Sequence, residues 1–154
     1  MTITRLNNGA VSKGWSKNFG VSSTGIKAVG AWTAVHHGAN VYDLHMTVSI
    51  QANTSPSNSV WYGMTIQPIL TALGKTSTPG VPSYQTRASV QLEGTAFNST
   101  TYNRGMYAKV ASDKTISIGR WYTDEGPDGG WPTSQQAWTV GTVYQIDIWG
   151  IELN

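Results

Sequence analysis

Between Val41 and Gln51 the chain alternates without a break. Tyr42, Leu44, Met46, Val48 and Ile50 are apolar, and Asp43, His45, Thr47 and Ser49 stand between them. A period of two belongs to a strand with one buried and one wet face; on a helix the same five apolar residues would be scattered around the axis. The rhythm returns at Val60, Tyr62, Met64 and Ile66, at Tyr84, Thr86, Ala88, Val90 and Leu92, and at Met106, Ala108 and Val110. It returns again at Ile116 and Ile118, and at Tyr144, Ile146 and Ile148. A chain written this way must pair its strands and bury one face of each.

The punctuation fits. The 17 glycines and six prolines are spread between the alternating runs as turn residues. Ile3 to Leu6 reads as a short strand followed by the turn Asn7-Asn8-Gly9. Val11 to Val21 is ambiguous, with Trp15 and Phe19 as its anchors. Ile26 to Val35 reads as a strand interrupted at Gly30, and His36 to Ala39 turns it into the Val41–Gln51 strand, a hairpin. Pro68 ends the strand before it or places it at an edge, and Ile69 to Gly74 suits a helical turn. Ser112-Asp113-Lys114 turns one strand into the next. In the closing run, Thr139 to Leu153, Gly150 marks a bulge that shifts the inward phase to Ile151 and Leu153. No amphipathic helix of three turns is present. The expectation is an all-β fold: a single antiparallel β-sandwich domain over 1–154, jelly-roll-like, with about eight to ten strands. The Cys…Trp…Cys pattern of immunoglobulin domains is absent.

Charge narrows the functions. Only 12% of residues are Asp, Glu, Lys or Arg, about half the ~25% usual for soluble domains. The wet faces carry Ser, Thr, Asn and Gln instead, a surface that suits protein or glycan contact better than catalysis. The net charge is +2 and the ten basic residues form no run, so a nucleic-acid partner is not expected. Without cysteine there are no disulfides or thiolate metal sites. No apolar run approaches the ~20 residues of a membrane helix, and no membrane partner is expected. Met1 to Gly14 lacks a positive region followed by an apolar stretch, so no signal peptide is expected. Asn53-Thr54-Ser55 and Asn98-Ser99-Thr100 match the glycosylation sequon, a pattern a Ser/Thr-rich chain produces by chance.

Candidate contact residues follow from aromatics and acids. Trp121 to Trp131 holds Asp124, Glu125 and Asp128 between aromatic flanks. Indole faces stack on sugar rings and carboxylates accept from sugar hydroxyls, so this loop is a candidate glycan or protein contact. A solvated loop closing one end of the sandwich is the competing reading. Its spacing is not that of an EF-hand, which weakens a Ca²⁺ reading. Seven tryptophans are too many for the core of one small domain. Trp32 and Trp149 lie inside apolar strands and read as structural. Trp61 falls on the face opposite Val60 and Tyr62 and points outward, while Trp131 and Trp138 bracket a polar loop; these join the candidate contacts. His36, His37 and His45 with Asp43 contain zinc-ligand types, but adjacent histidines in a strand point apart, so no metal or other cofactor is expected. No Gly-x-Ser-x-Gly elbow, His-Glu-x-x-His or phosphate loop is present. Glu93, Glu125 and Glu152 supply acids, yet no spacing singles out a glycosidase pair. A non-enzymatic reading follows, with a free-standing carbohydrate-binding module as the alternative and a small glycan-active enzyme behind it.

The layout of the Ala31–Val35 strand, the Asn40–Gln51 strand after a tight turn, and a closing Tyr144–Leu153 strand resembles the compact jelly rolls of bacteriophage virions. Capsid decoration proteins and the receptor-binding heads of tails are the two groups concerned, and trimers of the TNF and C1q type share the rhythm. The resemblance is architectural and carries no site residue. It implies a homotrimer made in the host cytoplasm and located in the virion. Its implied partners are a capsid or tail protein, or a host-surface glycan.

Overall fold

The computed structural model describes residues 9–54, 63–82, 85–92, 106–120, 138 and 140–154. The expected Ile3–Leu6 strand, the run Val60 to Tyr62 and the Trp121–Trp131 loop lie outside the described residues. The elements are β1 (Ala10–Ser16), β2 (Ile26–Gly38), β3 (Val41–Asn53), β4 (Met64–Thr65), α1 (Gln67–Ala72), β5 (Thr86–Leu92), β6 (Met106–Val110), β7 (Thr115–Arg120) and β8 (Thr142–Glu152). All strand pairs are antiparallel, in the order β1-β2-β3-β8-β5-β6-β7-β4. The all-β expectation holds.

The order returns on itself. Beyond β1 the chain continues through Phe19 to Val21 and joins the two ends of the sheet. The Phe19 N–H donates to the Ala28 carbonyl of β2 (3.2 Å), while the Thr65 N–H donates to the Phe19 carbonyl (2.9 Å) and the Val21 N–H to the Gly63 carbonyl (2.8 Å). Gly20 bridges Met64 directly. β4 in turn pairs with β7 through Met64 and Thr65. A Cβ on Gly20 would lie 2.0 Å from the Ile26 carbonyl oxygen, so only glycine lets the backbones approach here. Closing a sheet in this way leaves few unpaired edges.

The inward residues are those the alternation names. Tyr42, Leu44, Met46, Val48 and Ile50 of β3 are buried, as are Tyr144, Ile146 and Ile148 of β8 and Ile116 and Ile118 of β7. The bulge is where Gly150 placed it. Tyr42 pairs with Ile151 and Leu44 with Ile148, so Trp149 and Gly150 together face Asp43. Gly150 has φ +65°, and its N–H donates to the Asp43 carboxylate (2.8 Å). The phase then moves to Ile151 and Leu153, both fully buried.

Several expectations are corrected. Gly30 does not interrupt β2. It pairs within the ladder, and a Cβ there would lie 2.2 Å from the Thr47 carbonyl oxygen, so the glycine permits a close strand approach. The β2–β3 turn lies at Ala39 and Asn40, later than the histidines, because His36 stays paired with Tyr42 and Gly38 with Val41. Trp149 is 40% exposed: it sits in the bulge beside Gly150 and is not core. Trp15 is 65% exposed and is not core, whereas Phe19 is fully buried.

Candidate functional site

Two surfaces on β1 concentrate the groups suited to contact. The first arises from a change of structure beside it. Since Gly20 faces Met64, an antiparallel strand continuing past Thr65 would have run back along β1. The sequence prevents this. Pro68 sits in the first turn of α1, where its missing N–H costs no helix bond, and Ile69 and Leu70 turn into the core. The chain coils, and a groove of about 830 Å³ opens between α1 and β1.

The groove floor is Trp32. Its indole lies under Gly14, where a Cβ would sit 2.8 Å from the ring and 2.9 Å from Nε1. Trp32 is only 6% exposed, and among the described residues none bonds to its indole N–H. Ser12, Ser16 and Asn18 line the β1 side; Gln67 and Thr71 line the α1 side. Parts of this lining are already fixed. The Gln67 amide donates to the Thr71 hydroxyl (3.1 Å) and accepts from Lys114 Nζ (3.0 Å), and Ser16 Oγ accepts from the Asn18 N–H (3.0 Å). Asp113 stands at one end. Its Oδ1 accepts from the Thr115 hydroxyl (2.6 Å) and N–H (3.0 Å), and these bonds, the hydroxyl foremost, hold its carboxyl below the ordinary 3.8.

The second surface is the outer face of β1 and β2. Val11 is 61% exposed and Trp15 65%. Register places Val35 opposite Val11 and Ala31 opposite Trp15. Lys13 and Thr33, paired between them, continue as a row through His45 and Asp147 to Arg87. His45 Nδ1 lies 2.9 Å from Asp147 Oδ1, and His37 Nε2 lies 2.7 Å from Asp43 Oδ2. His36 instead stacks on Tyr42, with Nε2 2.8 Å from the Ala39 carbonyl oxygen. The three histidines thus go to three different partners. Among the described residues no cluster of three His, Asp or Glu converges on a point.

Of the contact residues expected from sequence, Trp61, Trp121, Asp124, Glu125, Asp128 and Trp131 lie outside the described residues. Trp138 is corrected. It is 1% exposed, meets Tyr144 edge to face at 4.7 Å, and its carbonyl accepts from Asn53 Nδ2. Its indole therefore belongs to the core and offers no open face. Trp15 and the Trp32 groove were missed. The available signal was the small set Ser12, Gly14 and Ser16 alternating with Val11, Lys13 and Trp15: a strand that is small on its inner side makes room for a large neighbour. Comparison with protein families, curated proteins and solved structures finds no match.

Proposed function

We propose that this chain is a non-enzymatic surface module that self-associates, in the decoration or adhesion role of a phage virion protein. The observation that carries the reading is the outer face of β1, where Val11 and Trp15 stand mostly in water beside Ala31 and Val35. Covering such an indole removes roughly 100–150 Å² of apolar surface, worth about 3 kcal/mol. An exposed Trp in a small apolar patch, crossed by a single cation at Lys13, has the anatomy of an interface centre. In this reading the antiparallel ring flattens into the two facing layers of a jelly-roll-like sandwich. Its outer β1–β2 face then meets a sister chain in a homotrimer, and other faces meet a capsid or tail protein.

The test is the mass in solution, by light scattering, of the natural chain and of the double variant Val11→Lys with Trp15→Lys. The natural chain is expected at a whole multiple of 16.6 kDa, three being the favoured number, and the variant at 16.6 kDa. Both positions are exposed, so the variant should keep its fold by circular dichroism. A natural chain that runs as a monomer at high concentration, or a variant with unchanged assembly, overturns the reading.

A further inference from the structure

The outer face does not account for the groove between β1 and α1, whose rim Lys13 and Trp15 also reach. We infer that the groove between β1 and α1 is a binding site for a neutral oligosaccharide. The inference does not rest on self-association.

Three properties of the groove lead to this class of ligand. The first is the lining. Ser12, Ser16, Asn18, Gln67 and Thr71 offer hydroxyls and amides, which both donate and accept, as sugar hydroxyls do. The second is the charge balance. Lys13 and Asp113 are the charged residues among its described lining, one of each sign, so an anionic or cationic ligand gains no net attraction. The third is the floor. The Trp32 indole is held in place beneath Gly14, and its N–H has no partner among the described residues and is not sealed from solvent, so it is free to donate to a ligand in the groove. A sugar oxygen entering past Gly14 accepts that bond, and the adjacent indole edge supplies apolar contact for ring C–H groups. The space also fits: about 830 Å³ takes an oligosaccharide of several units, within the range of small-molecule sites. Because Gln67 and Ser16 are already held by internal bonds, little side-chain order is lost on binding.

The experiment begins with the full chain on an array of neutral hexose and N-acetylhexosamine oligosaccharides printed beside sialylated and sulfated ones. The strongest neutral binder is then titrated into ¹⁵N-labelled protein. The Trp32 indole N–H signal is identified by its loss in Trp32→Phe. The expected result is neutral binding that shifts the Trp32 indole signal. Trp32→Phe, which keeps an aromatic floor and removes the N–H, should bind about fivefold more weakly, the loss of one hydrogen bond. Ser12→Tyr, at an exposed position, should fill the groove and abolish binding while leaving the fold intact. The inference is overturned if no neutral glycan binds or if acidic glycans bind better. It is equally overturned if a neutral glycan binds without moving the Trp32 signal or with unchanged affinity for Ser12→Tyr. Assembly measured by light scattering on the same samples separates this outcome from that of the self-association reading.

Discussion

Replacing Gly20 with alanine tests how the sheet closes. The added methyl would lie 2.0 Å from the Ile26 carbonyl oxygen and 2.7 Å from its carbon. Both atoms are backbone, so no side chain can swing away, and the two segments must part by roughly 1 Å to reach ordinary contact. Three hydrogen bonds depend on that spacing: Phe19 to Ala28, Thr65 to Phe19 and Val21 to Gly63. Overpacking strain costs about 1–3 kcal/mol, and each weakened bond adds about 0.5–1 kcal/mol. The total, about 2.5–6 kcal/mol, is a large part of the roughly 5–15 kcal/mol that holds a domain together. With a urea slope of roughly 2 kcal/mol/M, the midpoint should fall by about 1.3–3 M. Gly74→Ala is the control. There φ is +68° and nothing lies within 4 Å of the new methyl, so the cost is purely conformational, about 1 kcal/mol. Urea denaturation gives both numbers, and amide exchange at Val21 and Thr65 reports the closure itself. If Gly20→Ala costs no more than Gly74→Ala, and both amides stay protected, the closing contact is not what it is argued to be.

Further outcomes follow from single groups. Thr142 is 1% exposed and its hydroxyl has no hydrogen-bond partner among the described residues, so Thr142→Val should stabilise the fold by about 1 kcal/mol in the same denaturation assay. Asp113 has a folded pKa held below 3.8 by Thr115. Its contribution is therefore fully present above that value and lost as pH falls through the lowered one. Asp113→Asn should flatten the acid limb of a stability–pH curve below about pH 4, by under 1 kcal/mol because the group is largely exposed. Gly150→Val would put a β-branched residue at φ +65° in the bulge, and a cost of about 2 kcal/mol is expected from thermal unfolding.

Much of the fold was legible because burial and pleat share one period. Every inward residue of β3 could be read from alternation, and Gly150 gave both the bulge and the change of phase that buries Ile151 and Leu153. The order of strands was not legible. The join at Phe19 to Val21 depends on contacts between segments more than 40 residues apart, and a glycine such as Gly20 looks the same whether it makes a turn or a close approach. Gly30 misled for that reason. The surfaces were harder still. An alternating strand declares which residues lie on opposite faces, but Trp15 and Trp149 could be placed outside only once their neighbours' register was known. The Trp32 groove exists because α1 replaces a strand beside β1, a consequence of Pro68 in a context that sequence alone leaves open.

The claim that the outer face of β1 exists to meet another copy is tested most directly by footprinting Trp15. Carbene labelling of the full chain, read by mass spectrometry across a dilution series, measures access to that one indole. Strong labelling in dilute monomer and protection that grows in step with assembly is the predicted result. Trp15 labelled equally at every concentration, while the protein assembles, would contradict it.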